Sequence, residues 1–193
     1  QTELYYLYNE NERTSAAGLS MTYGAFFPFI SVGTEYTFNR QDVINNHVRQ
    51  WDQLDTRVGL NIPLNYASGQ TFKSFNAGSN YVLRNEFNKG QFANLLGNTS
   101  FSYLLHTISW TQQIQRAVQH IFPRFAYTVS ASHRHAITSV TGYQFIANGS
   151  LYVPGLLSNQ NLVFTGSFQQ RDTLSQVVFS NRFGYSRGYE GRY

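Results

Sequence analysis

The residues best able to ligate a metal or move a proton near neutral pH are the five histidines, and two of them, His133 and His135, stand two apart. On a strand that spacing points both side chains to one face, which is metal-ligand geometry. Arg134 lies between them and no Asp or Glu is close in sequence, so a solvated loop tip accounts for the pair and no metal is expected. His106 with Ser102 or Ser109 has the composition of a hydrolytic pair. A serine nucleophile, however, needs a base within hydrogen-bond reach and a third group to orient that base. Nothing in the spacing supplies one, and Ser is frequent throughout. Glu35, Asp52 and Asp55 are isolated acids near strand ends, read as structural charges of a lumen or rim rather than general acids. Asn98-Thr99-Ser100 and Asn148-Gly149-Ser150 match glycosylation sequons, which arise often by chance. There are no cysteines, which excludes thiolate chemistry and disulfides. No catalytic residue and no cofactor is assigned, and the chain is not read as an enzyme.

The elements that carry these residues show period-two alternation, the pattern of strands with two unlike faces. Ala17, Leu19, Met21, Tyr23, Ala25 and Phe27 alternate with Gly18, Ser20, Thr22 and Gly24. Val32, Thr34, Tyr36 and Phe38 follow in a second phase. Further runs are Leu54, Val58, Leu60, Ile62, Leu64; Phe75, Ala77, Tyr81, Leu83; Phe101, Tyr103, Leu105; Phe125, Tyr127, Val129, Ala131; Tyr143, Phe145, Ala147, Leu151, Val153; and Leu162, Phe164, Phe168. With the opening run through Leu4, Tyr6 and Tyr8, about nine strands are predicted. Pro28, Pro63, Pro123 and Pro154 are expected near strand ends, where a missing N–H costs least. They mark compact turns, whereas Arg40–Gln50, Arg84–Asn98 and Ser132–Ala136 are expected to be polar loops at the opposite end.

Composition bears on what the apolar face meets. Aromatics are 17% of the 193 residues and charged residues only 12%, while Ser, Thr, Asn and Gln supply 65 positions. A disordered chain would be poor in aromatics and rich in charge. The net charge of +4 comes from arginines scattered along the chain, with no basic stripe, so nucleic acid is not an expected partner. No apolar run is long enough for a membrane helix. A soluble sandwich would present a Lys- and Glu-rich face to water, but the sequence holds only two lysines, and its polar face is Gly, Ser, Thr, Asn and Gln. That face suits a wet barrel interior, and the aliphatic and aromatic face suits lipid. Tyr23, Phe27, Phe38, Tyr66, Tyr103, Tyr127 and Tyr152 fall where an interfacial aromatic girdle would lie. The expected fold is all-β, an antiparallel transmembrane β-barrel. About nine strands and no closing strand make the barrel incomplete.

Asn181-Arg182-Phe183-Gly184-Tyr185-Ser186-Arg187-Gly188-Tyr189 resembles the Phe…Gly…Val-Arg-Gly-aromatic signature in the sixth extracellular loop of the bacterial surface-antigen superfamily of outer-membrane barrels, the BamA/TamA type. Phe122-Pro123-Arg124-Phe125 resembles that family's Phe-Pro turn, and Tyr152-Val153-Pro154 its Val-Pro turn. The order of turn, strand, loop, strand, turn, strand and sixth loop is matched over residues 120–190. The Phe122-Pro123-Arg124 and Val153-Pro154-Gly155-Leu156 phrases also resemble barrels that follow a TolB-like propeller. Ser186 departs from the common Val, and the family's carboxy-terminal half has no counterpart here.

The resemblance implies a sixteen-stranded barrel of which residues 1–193 form one partial domain, beginning near the third strand. It further implies that 171–193 is a long loop folded toward the lumen, where Arg187 docks on interior polar groups beside Gly188 and Tyr189. The family's role is to insert or translocate polypeptides at the bacterial outer membrane. Its partners would be the lipid bilayer and other outer-membrane or periplasmic proteins. A porin-like channel or the membrane anchor of a larger surface complex is the alternative, and an outer-membrane hydrolase a further one.

Overall fold

A computed structural model describes residues 1–10, 13–44, 47–114, 125–138, 140–156, 160–172 and Phe179. These residues are all-β: nine strands form one antiparallel sheet in chain order, β1 to β9. The strands are β1 (Thr2–Asn9), β2 (Thr14–Tyr23), β3 (Phe29–Ile44), β4 (His47–Ser68), β5 (Thr71–Asn88), β6 (Thr99–Ile114), β7 (Phe125–Ala136), β8 (Tyr143–Pro154) and β9 (Asn161–Arg171). One short helix, α1 (Gln91–Leu96), lies between β5 and β6. The edges are β1 and β9, so the ladder is not closed. By packing the chain divides into two units: residues 1–61, 79–105 and 136–141, and residues 62–78, 106–135 and 142–193.

In the first unit the register sorts side chains into two unlike faces. Leu4 pairs with Leu19, Met21 with Val32, Tyr23 with Ile30, Val32 with Val58 and Ile30 with Leu60. These rows make one continuous apolar face whose members are exposed, Leu60 by 49%. Their alternates, Tyr5, Gly18, Glu35, Asp55 and Arg57, form the other face. A Cβ on Gly18 would fall 2.4 Å from the Tyr5 ring, so the absent side chain is what lets Tyr5 lie flat across β2 and reach Glu35. Gly18→Val should therefore displace Tyr5 and cost about 1–3 kcal/mol, as overpacking does. Denaturant unfolding of the refolded protein measures it, and Gly18→Val in a Tyr5→Ala background should cost clearly less.

The strands run further than the sequence pattern suggests. Arg40–Gln50 and Arg84–Asn98 were expected as loops, yet β3 and β4 pair through Arg40↔Trp51 to Ile44↔His47, and β5 continues to Asn88. Ser132–Ala136 likewise completes β7. The polar residues stay in the ladder because they satisfy one another across it: Arg40 Nη1 donates to Gln53 Oε1 at 3.0 Å and Arg49 Nη2 meets Glu86 Oε2 at 2.9 Å. The β3–β4 register slips between Thr37 and Arg40, where Asn39 takes φ 56°, a conformation Asn tolerates better than most residues. Pro63 sits inside β4 rather than at its end, but the β3 ladder already stops at Asn61, so no β3 bond is lost.

In the second unit β7, β8 and β9 pair with unbroken register. Rows such as Ala131–Ala147–Phe168 give this unit an apolar face of its own, outward in that Val129, Leu151, Phe164 and Phe168 are exposed. The opposite face carries Arg134, Gln144 and Arg171 in one row.

Candidate functional site

The polar face of the first unit carries a connected set of charges built around β4. Tyr5 donates a short hydrogen bond to Glu35 and accepts one from Arg57 Nη2 at 3.3 Å, with Arg57 3.7 Å from Glu35. Two residues along, Asp55 receives Arg84 through both carboxylate oxygens, Nε at 2.8 Å and Nη2 at 2.7 Å, the fork geometry only arginine provides. Gln53, itself buried, donates to the same Asp55 at 2.8 Å and accepts from Arg40. Arg84 lies over the rings of Tyr103 and Phe101 at 5.5 and 6.0 Å. At the far end of β4 the Trp51 ring is flanked by Arg49 at 4.6 Å and Arg40 at 5.7 Å. Arg49 also reaches Asn88 Oδ1 at 2.8 Å, and Asn88 donates to the Gly97 carbonyl beyond α1.

Glu35 and Asp55 thus serve as structural charges, each paired with an arginine. Asp52 lies on the other face beyond the apolar rows, 2.7 Å from Lys89 Nζ, accepting from the Asn39 N–H and the Tyr36 hydroxyl. Desolvation works to raise its pKa, but Lys89 and these hydrogen bonds outweigh it and hold the carboxyl below its usual value. The arrangement around Glu35 and Asp55 ties β1, β3, β4 and β5 together on one face of the sheet and makes that face polar.

Tyr103 and Phe101 correct the sequence reading. They were expected on the apolar face, Tyr103 in its girdle, but they pack on the polar face under Arg84, with Tyr103 only 5% exposed. On β6 the outward positions are instead His106, Ile108 and Trp110, and Trp110 Nε1 donates to the Tyr127 hydroxyl at 3.2 Å.

In the second unit Phe179 packs against Arg134 and Arg171 of the row Arg134–Gln144–Arg171. Phe179 is 3% exposed, its carbonyl accepts from Arg171 Nη1 at 3.1 Å, and its ring lies 5.8 Å from the Arg134 guanidinium carbon. Nothing in the alternation pointed to Phe179; it lay in the one short apolar run after Gln169. Arg187, Gly188 and Tyr189 lie outside the described residues, as do Phe122-Pro123-Arg124 and all of 171–193 apart from Arg171, Asp172 and Phe179.

His106, His133 and His135 come together as three stacked rings on the outward face. Among the described residues no group of three or more His, Cys, Asp or Glu is arranged to hold a metal ion. Ser109 lies on the opposite face of β6 from His106. Ser102 is four residues away, about 13 Å along the strand and out of hydrogen-bond reach. Comparison with protein-family models, curated proteins and solved structures finds no match. Among the described residues no helix is long and apolar enough to cross a membrane, which leaves crossing by strands open.

Proposed function

We propose that the chain is part of the wall of an outer-membrane β-barrel that inserts or translocates polypeptides, in contact with lipid and with other outer-membrane or periplasmic proteins. The observation that carries this reading is the inversion of the two faces. Aliphatic and aromatic side chains stand exposed on one face, while arginines and carboxylates are hydrogen-bonded and largely buried on the other. Water does not favour a broad exposed apolar face on a protein, whereas a bilayer requires one. From Phe125 to His135 the outward face of β7 covers about 33 Å of strand. At a tilt of about 40° this projects to roughly the 25 Å apolar band of such barrels.

The sequence lacks cysteine, so single cysteines at Leu60 and Asn61 can carry an environment-sensitive probe in vesicles. Quenching by lipid-borne quenchers at position 60 and not at 61 is the expected result; equal quenching by a water-soluble quencher would refute the membrane assignment. Catalysed folding of an outer-membrane substrate protein supports the insertase role. Ion conductance without such catalysis supports the porin-like alternative, which the charged ladder from Arg40 to Arg84 would suit.

The loop of the proposed barrel turns inward and docks Arg187, with Gly188 allowing close approach and Tyr189 filling space beside it. The packing of Phe179 on Arg134 and Arg171 supports an inward course for the segment that leads there. Arg187→Ala should remove a charge-assisted contact worth about 1.5–3 kcal/mol. Arg187→Lys should restore little, since an ammonium lacks the bidentate fork. Heat-modifiable gel mobility reads the effect, and unchanged mobility in Arg187→Ala would exclude the docked loop.

A further inference from the structure

Histidines are out of place on an otherwise apolar outward face, yet three of the chain's five gather there. Tyr127 donating to Gln112 and the Thr111–Thr128 side-chain contact fix a β6–β7 register that sets His133 opposite His106. His135 lies one pleat further along the same face. The ring centroids are 5.1 Å apart for His133 and His135, 5.5 Å for His106 and His135, and 6.4 Å for His106 and His133. All three rings are within 30° of parallel, the widest interplanar angle being 29°. The three centroids mark out a compact triangle, and among the described residues no group of three or more His, Cys, Asp or Glu is arranged to hold a metal ion; a polyatomic anion, with several oxygens that can each accept one N–H, suits such a triangle.

Their level on the wall is specific. The row across β7 to β9 reads His133–Phe145–Gln170, and the row beneath it reads Ala131–Ala147–Phe168. One pleat further out, His135 pairs with Tyr143, whose hydroxyl accepts from Gln170. The outward face turns from apolar to polar at the histidines, and there the phosphate groups of a bilayer would lie. Arg134 and Arg171 are on the opposite face. Tyr143, Phe145 and Gln170 carry no formal charge, and the one charged outward residue of β5, Lys73, lies on the turn side of the Phe75–Trp110 contact. The Tyr143 row runs on to Asp172, whose N–H donates to the Tyr143 carbonyl, so one carboxylate stands two strands from His135; among the described residues of β6 to β9 no permanent cation lies on the face of the cluster.

We infer that His106, His133 and His135 form a binding site for the phosphate group of a membrane lipid, engaged when the imidazoles are protonated. Three imidazolium groups this close repel one another, and a phosphate bridging their N–H edges relieves that repulsion. The inference rests on the membrane reading proposed above.

Selectivity of spin-labelled phosphatidic acid over phosphatidylcholine at the protein surface tests it, at about pH 5 and about pH 8. A preference on the order of tenfold is expected at the lower pH, falling at the higher one. Phosphatidic acid becomes more negative as pH rises, so lysine or arginine sites would show the opposite trend. Replacing all three histidines by Gln should bring selectivity at low pH to the phosphatidylcholine level; unchanged selectivity overturns the proposal. Displacement of the label by an equal concentration of inorganic phosphate would assign the site to the free anion and overturn the lipid assignment. Zinc binding removed by the same substitutions would make it a metal site instead. Failure of the protein to enter vesicles would defeat the membrane reading alone, and titrating short-chain phosphatidic acid in zwitterionic micelles then decides the cluster by itself.

Discussion

Arg84→Ala should destabilise the folded protein by about 3 kcal/mol, the low end of what breaking a buried ion pair costs. Both side chains are mostly covered, at 19% and 17% exposure, and Asp55 takes two hydrogen bonds from Arg84 and a third from Gln53. Losing the guanidinium would strand the largely covered Asp55 carboxylate without its cation and take from the Tyr103 and Phe101 rings the cation that lies over them. Replacing both partners with apolar residues, Arg84→Met with Asp55→Leu, should recover most of the loss, because no charge is then stranded. Equilibrium unfolding in urea, run as a double-mutant cycle in vesicles or micelles, gives the coupling energy directly. Two small and additive single effects would mean that water, not Arg84, solvates Asp55.

The same pair shows how far the sequence was legible. All nine strands can be found from alternation, since a two-faced strand must repeat every second residue. Glu35 and Asp55 are recognisable as structural charges because no base, nucleophile or second acid accompanies them. Their partners are not recognisable. Arg84 meets Asp55 only through a strand register, and register depends on bulges such as the one at Asn39 that alternation does not locate. Phe101 and Tyr103 misled for a related reason: their alternation is apolar, but an aromatic beside a guanidinium is as much at home on a charged face as on an oily one. Strand ends were misplaced because polarity at Arg40–Gln50 and Arg84–Asn88 was taken for a loop. Pairs formed across the ladder keep such residues extended well past the apolar band. The histidine cluster has a partial sequence signal, the His133–His135 spacing, but its third member comes from the neighbouring strand.

Leu60→Arg is expected to cost about 2–4 kcal/mol, the depth-dependent penalty for a cation on the lipid face near the bilayer midplane. Outward positions of β4 run from Leu54 through Thr56, Val58, Leu60, Ile62 and Leu64 to Tyr66, which puts Leu60 at their centre. It is paired with Ile30 and flanked by the Val32–Val58 row, so no carboxylate stands across from it to take the charge. Snorkelling to either interface would need the side chain to climb several residues of apolar wall. Asn61→Arg, one residue along and on the other face, should change stability by less than about 1 kcal/mol, because that face already solvates arginines. The comparison has a sign as well as a size. If the apolar face met water instead, Leu60 at 49% exposure would give up little packing, and an arginine there would raise solubility with little effect on folding. Unfolding free energies of the two variants in the same vesicles separate these outcomes. A Leu60→Arg protein as stable as its parent, or more soluble without lipid, would remove the bilayer from the account of this fold.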